Sequence, residues 1–167
     1  GWKVLGRVPF SIPLSWFYMG LASYLLATVV VRVRGVARRS IATVALGAYF
    51  LTVWDLVLDP AMAHPSLPLQ FWEWHEQGAY FGMPVQNFVG WTATGIAFMA
   101  LSRWLWRAEP EVDVAQAWFP LAVYVLNTVF AAVLSAAAGL WEPVLIAALL
   151  GLGPAFLGPY WTPRRPL

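Results

Sequence analysis

Five long stretches of this chain carry almost no charge: Val8 to Val31, Ile41 to Leu58 with Asp55 as its one charge, Val85 to Ser102, Ala117 to Leu140, and Pro143 to Trp161. A helix needs roughly 20 apolar residues to cross the hydrocarbon core of a bilayer, so each stretch has the length of a membrane span. The chain has 167 residues, of which 60% are hydrophobic and 11% charged. Its mean hydropathy of +0.66 lies outside the range of an ordinary soluble domain. The expected fold is all-α: a polytopic membrane helix bundle of about five transmembrane helices, forming one integral membrane domain over residues 1–167. Spans of that number leave no room for a separate soluble domain.

The composition also removes whole classes of chemistry. There is no cysteine, which excludes disulfides, iron–sulfur clusters and thiol catalysis. The two histidines, His64 and His75, are too few for the multi-histidine di-iron sites of membrane oxygenases. A net charge of +2 gives no broad basic surface, so no nucleic-acid partner is expected. Trp2 to Pro9 has neither the charged start nor the cleavage site of a signal peptide, and residue 1, a glycine, is not expected to be the biological start.

Alternating the spans across a membrane puts Arg32, Arg34, Arg38, Arg39, Arg103, Arg107, Arg164 and Arg165 on one side, against Lys3 and Arg7 on the other. The positive-inside rule makes the arginine-rich side cytoplasmic, with the C-terminus there. The loop from Asp59 to Pro84, without a Lys or Arg, then lies on the outer side. Glu109, Glu111 and Asp113 read as solvated charges of a cytoplasmic loop. In the fourth run, Ala132 with Ala136 and Ser135 with Gly139 allow close helix approach. Gly151, Gly153, Pro154, Gly158 and Pro159 predict a kinked or broken fifth span, whose freed backbone groups need a protein or water partner.

The second run ends in WDLVLDP, Trp54 to Pro60. An acid inside a membrane helix costs roughly 2.5–3.5 kcal/mol on insertion scales, and two on one face need a reason. At 3.6 residues per turn Asp55 and Asp59 project from the same side, one turn apart, and Pro60 is expected to stop the helix beside the second acid. Two carboxylates that close in a medium of low dielectric do not both ionise readily, because desolvation and like-charge repulsion oppose the second charge. One can therefore keep its proton near neutral pH. A protonated carboxyl among aromatic faces suits protonation of an alkene to a tertiary carbocation, held by cation–π contact until water captures it, with the second carboxylate taking the proton of that water. The plainer reading is a polar helix end bonded to loop backbone.

The outer loop is dense in aromatic residues, Phe71, Trp72, Trp74, Tyr80 and Phe81, interleaved with Glu73, His75 and Glu76. An interfacial aromatic belt explains the rings but not the unpaired acids on the same side. Asn87, Trp91 and Thr94 share one helical face, and Tyr124, Asn127 or Thr128, Ala131 and Ser135 another. These can line a cavity or simply bond between helices, the commoner role. Gly78, Gly82 and Pro84 frame Tyr80 and Phe81 and permit a tight re-entry into the third span. His64, Glu73, His75 and Glu76 lack a metal-ligand spacing, and no phosphate loop, nucleophile elbow or dinucleotide fingerprint occurs. No cofactor and no metal are expected.

Taken together, WDLVLDP, the stretch GAYFGMPVQNFVGW from Gly78 to Trp91, and RVPFSIPLSWFYM from Arg7 to Met19 resemble the membrane carotenoid biosynthesis family of bisanhydrobacterioruberin hydratase and the carotenoid 1',2'-hydratases. The resemblance covers roughly Gly1 to Trp106, the later helices matching in character only. Members are longer at the N-terminus, so the chain is expected to be the C-terminal part of a larger protein, or one with unseen leading helices. The resemblance implies addition of water across the terminal isopropylidene double bond of an acyclic carotenoid, leaving a tertiary hydroxyl. It maps onto Trp54, Asp55, Asp59, Pro60, Gly78, Tyr80, Gly82, Pro84, Asn87, Gly90 and Trp91. His64 to Glu76 matches no family pattern, and Glu73, His75 and Glu76 inherit no role.

The leading expectation is thus a cofactor-independent carotenoid hydratase, a hydro-lyase of a prokaryotic cytoplasmic membrane. Its candidate catalytic residues are Asp55, Asp59, Tyr80 and Asn87: one aspartate donates the proton, the other activates water, Asn87 positions that water, and Tyr80 joins Trp54 and Trp91 in facing the cation. Its candidate substrate-binding residues are Trp54, Trp72, Trp74, Phe81 and Trp91. The expected partners are an acyclic carotenoid polyene and membrane lipid, with a membrane complex or homo-oligomer also open. The alternative is a non-catalytic carotenoid- or lipid-binding subunit of a larger membrane complex, which eleven tryptophans would serve equally well. A small transporter is disfavoured, because there is no internal repeat and the acids lie at a helix end instead of the midplane.

Overall fold

Apolar runs placed in lipid have to satisfy their backbone N–H and C=O groups within the segment, which makes them helices. In the computed structural model of the protein, which describes residues 3–4, 8–35, 39–68, 70–106 and 116–157, α1 spans Ser11–Val33, α2 Arg39–Met62, α3 Val85–Trp106 and α4 Trp118–Ala137. The last apolar stretch is divided into α5, Trp141–Ile146, a π-helical segment, Ala147–Leu152, and α6, Gly153–Leu157. Two short antiparallel strands, β1 Lys3–Val4 and β2 Val8–Pro9, precede α1.

The helical bundle matches the expected fold class, with one correction. Among the described residues three helices, not five, are both long and apolar enough to cross a membrane: α1, α2 and α4. Helix α3 has 22 residues but carries Gln86, Asn87 and Arg103. The fifth run gives a shorter apolar helix, Trp141–Phe156, interrupted where the sequence has Gly151, Gly153 and Pro154. Pro154 has no N–H to offer the Leu150 carbonyl four residues back, and the Tyr49 hydroxyl of α2 donates to that oxygen at 2.9 Å. The freed carbonyl thus finds the protein partner that its setting demands. Gly158 and Pro159 lie outside the described residues, as do Arg7, Arg38, Arg107, Glu109, Glu111, Asp113, Arg164 and Arg165.

Helix α2 is the centre of the bundle, packed against α1, α3 and α4. It is apolar nearly all round, as a helix enclosed by others must be, and buries Phe50, Leu51, Trp54 and Val57 against Tyr24 of α1, Met99 of α3 and Tyr124 of α4. Several polar side chains in this interior bond across or along helices. Tyr124 donates to the Phe50 carbonyl at 3.1 Å, and Ser135 to the Val57 carbonyl at 2.6 Å. In α4 the buried small residues are Ala131 and Ser135, while Ala132 and Ala136 are only partly buried and Gly139 is exposed. This packing brings the start of α1, the end of α2 and the start of α3 to one end of the bundle, under the loop that joins α2 to α3.

Candidate active site

Asp55 and Asp59 are both buried, at 0% and 4% relative exposure, one turn apart on α2. A single side chain from α3 joins them. The Asn87 amide donates to Asp59 Oδ2 at 2.9 Å and to Asp55 Oδ2 at 3.1 Å, with Met83 Sδ a third acceptor at 2.9 Å. Trp91 lines the same cleft as Asp59. Asp55 Oδ1 has no partner. The group that bridges the pair is a neutral amide, which supports a negative charge without competing for the proton as an arginine would.

Pro60 does not stop α2, contrary to expectation: the helix continues to Met62 with the proline in its last turn. The missing N–H of Pro60 would have bonded the Leu56 carbonyl, and the Tyr80 hydroxyl donates to that same oxygen at 3.0 Å. Tyr80 therefore lets the helix persist through the proline and keeps Asp59 on a regular turn above Asp55. Burial pushes the Tyr80 phenol up to about 12, with the Glu142 and Asp55 carboxylates adding to the effect, so it remains a donor.

Tyr80 reaches Leu56 from a tight turn. Gly78 and Gly82 form a β-bridge, as do Tyr80 and Met83, and the Gly78 N–H donates to the Gly82 carbonyl at 2.9 Å. The turn needs left-handed backbone at Phe81, φ 49°, and Gly82, φ 84°; glycine adopts this readily, phenylalanine only at a cost. A Cβ on Gly78 would collide with the Met83 carbonyl. The chain then enters α3 so that Asn87, in its first turn, faces the acids.

Asp59, but not Asp55, opens on a cleft of about 950 Å³. Helix α2 supplies Trp54, Leu58, Asp59 and Met62 to its wall, α3 supplies Asn87 and Trp91, α1 supplies residues from Ser11 to Tyr18, α4 supplies Asn127 and Phe130, and the loop from Phe71 to His75 covers it. Five indoles line the cleft with the acid. Trp16 stacks on Trp91 with ring centroids 3.7 Å apart, and Trp54 meets Trp91 edge to face at 5.7 Å. Trp54 is fixed by a 3.3 Å bond from its indole nitrogen to the Asn127 carbonyl. Trp72 and Trp74 lie edge to face at 6.2 Å in the covering loop, and neither indole nitrogen has a partner.

Of the residues singled out from sequence, Asp59, Asn87, Trp54, Trp91, Trp72 and Trp74 share this cleft, with Asp55 directly behind Asp59. Tyr80 and Phe81 do not line it. Their rings pack on each other at 4.9 Å, and Phe81 borders a separate hollow of about 390 Å³ with His64 and Gln70. Tyr124 and Ser135 bond to backbone carbonyls of α2, the commoner role for such residues, and Thr128 bonds to the Tyr124 carbonyl of its own helix, while Asn127 does line the cleft. Sequence reasoning gave no role to Trp16 or Tyr18, although both stand within the stretch from Arg7 to Met19. Glu73 and His75 also reach the cleft. Among the described residues no group of three or more His, Asp or Glu side chains could hold a metal ion.

The chain matches a family described as "Carotenoid biosynthesis protein" over residues 1–154. It is 31% identical over 156 residues to the bisanhydrobacterioruberin hydratase of Haloarcula japonica, an alignment that covers 92% of this chain and 50% of the relative. The chain thus spans about half the length of that relative. No solved structure matches it.

Proposed function

This chain belongs to the carotenoid biosynthesis protein family, and from that premise we propose that it adds water to the terminal isopropylidene double bond of an acyclic carotenoid end group. The observation that carries this reading is the carboxyl pair with one member open to an indole-lined cleft. Asp59, the member on the cleft, gives its proton to the less substituted alkene carbon. The π electrons form the new C–H bond and leave a tertiary carbocation. The faces of Trp16, Trp54 and Trp91 stabilise that cation, a contact worth about 0.5–2 kcal/mol per ring as desolvation increases. Water attacks the cation, its oxygen bonds to the tertiary carbon, and the carboxylate pair takes back the surplus proton. The sum is substrate plus one water, so the balance requires no redox partner and no nucleotide.

Asn87 holds both Oδ2 atoms on one donor and keeps the pair together through the cycle. Asp55, buried behind Asp59, shares the proton. With α3 and the divided fifth helix taken as further crossings beside the three longer helices, the positive-inside rule supports putting this end of the bundle on the outer side of a prokaryotic cytoplasmic membrane, opposite the arginines at 32, 34, 39 and 103.

The test is product analysis in a host that makes the acyclic precursor, with the chain expressed in its natural full-length context. The wild type should yield carotenoid heavier by one water, and Asp59→Asn and Asp55→Asn should each reduce it at least tenfold. Undiminished hydroxylated product in both variants would overturn the assignment. Pigment retained by a wild type that forms no product would instead favour a binding subunit.

A further inference from the structure

The cleft over Asp59 has two rims of opposite chemistry. Beneath the covering loop the rim is polar, with Glu73 and His75 both exposed. Between α1 and α4 it is apolar: Leu14 is 49% exposed, Tyr18 37% and Phe130 54%, although all three also line the cleft. Residues that face both the cavity and the outside mark an opening. Both helices are apolar enough to cross a membrane, so this opening faces lipid.

We propose that the gap between α1 and α4 is a lateral entrance for the polyene chain of the substrate, while the loop rim admits water; the identity of the ligand rests on the carotenoid reading above. Ser11, Leu14, Ser15 and Tyr18 recur at three- and four-residue spacing, so they form one strip along α1, roughly 10 Å long at 1.5 Å rise per residue. An extended hydrocarbon laid along that strip runs parallel to the helices, in the direction that lipid chains already favour. The strip ends at Tyr18, whose hydroxyl donates to Asn127 Oδ1 at 3.1 Å, tying α1 to α4. Asn127 in turn donates to the Val123 carbonyl of its own helix at 2.8 Å, which fixes the acceptor. The tie forms the sill of the entrance and sets how far along the helices the chain can leave the cleft. Separate routes for oil and water let the chain be seated without displacing the water that later captures the cation.

The test uses the full-length protein in the Asp59→Asn background, where substrate can load without turning over, purified from a host that makes lycopene. Retained lycopene per protein is measured with Leu14→Trp and Phe130→Trp, which crowd the entrance, and with Leu145→Trp, the same kind of change at a residue of α5 that is 60% exposed and lies off the cleft. Retention should fall at least threefold in the first two and hold in the third. Equal retention in all three, or equal loss in all three, overturns the entrance. Hydration undiminished by Asp59→Asn alone would refute the catalytic reading, and the retention pattern would still decide the entrance.

Discussion

The Tyr80 hydroxyl stands where the N–H of residue 60 would stand if that residue were not proline, 3.0 Å from the Leu56 carbonyl. A loop side chain thereby completes the backbone of a buried helix, at the turn that carries Asp59. Tyr49 performs the same substitution for Pro154 at Leu150. Prolines inside apolar helices persist when another group satisfies the carbonyl they abandon.

Tyr80→Phe should therefore destabilise the protein by about 1–3 kcal/mol, the cost of leaving a buried acceptor unpaired. Pro60→Ala restores the missing N–H, so adding it to Tyr80→Phe should recover much of the loss. Thermal unfolding of the four members of this cycle in one detergent checks the coupling, and additive effects would show that Tyr80 does not serve Leu56.

The same phenol gives an alkaline signature. Its folded value of about 12 exceeds its ordinary value of 10, so its contribution to stability is complete below pH 10 and is lost as pH rises toward 12. The wild type should lose stability across that window more steeply than Tyr80→Phe. Unfolding midpoints at pH 9, 10 and 11 measure the difference in slope, and parallel curves would contradict it.

Asn87→Leu removes the donor shared by the two acids but keeps the side chain's bulk. Hydrogen bonds to charged groups contribute about 1.5–3 kcal/mol, which corresponds to a loss of roughly ten- to a hundredfold in hydrated carotenoid per protein. Near-normal product from a folded Asn87→Leu protein would remove Asn87 from the mechanism.

Trp16→Leu should lower product formation several-fold, because it removes the ring stacked on Trp91 and, in the proposed mechanism, one face from the cation. Trp16→Phe should recover part of it. The ranking Trp, Phe, Leu in initial rates is the diagnostic outcome; equal rates for Phe and Leu would assign Trp16 to packing alone.

Gly78→Ala should be more damaging than its size suggests. The added methyl meets the Met83 carbonyl, which is backbone and cannot rotate away, so the turn has to open and both Tyr80 and Asn87 shift. Loss of product together with a lower unfolding temperature is expected, and wild-type behaviour in both would mean that the turn can relax.

The parts of the site legible in the sequence are those fixed by local geometry. Asp55 and Asp59 share a face because helical periodicity requires it, and the apolar run makes their burial predictable. Asn87 and Trp91 could be placed on one face of α3, but their meeting with α2 depends on a turn whose shape rests on Gly78 and a left-handed Phe81. Trp16 and Tyr18 escaped because their partners, Trp91 and Asn127, are distant in the chain. Pro60 misled because a proline's local effect was offset by a hydroxyl twenty residues away. The count of membrane-length helices fell short of five where single residues outweighed the apolar trend, Asn87 and Arg103 in α3, and Gly151, Gly153 and Pro154 in the last run.

Of the two acids, only Asp59 touches the cleft, and this has a stereochemical consequence. In the proposed hydration, an alkene seated against that wall would receive its hydrogen from one side, so the methylene formed beside the tertiary alcohol would carry that hydrogen in a fixed prochiral position. Run in heavy water, the reaction would place deuterium there with a single handedness, recording the position of one carboxyl oxygen in the configuration of the pigment.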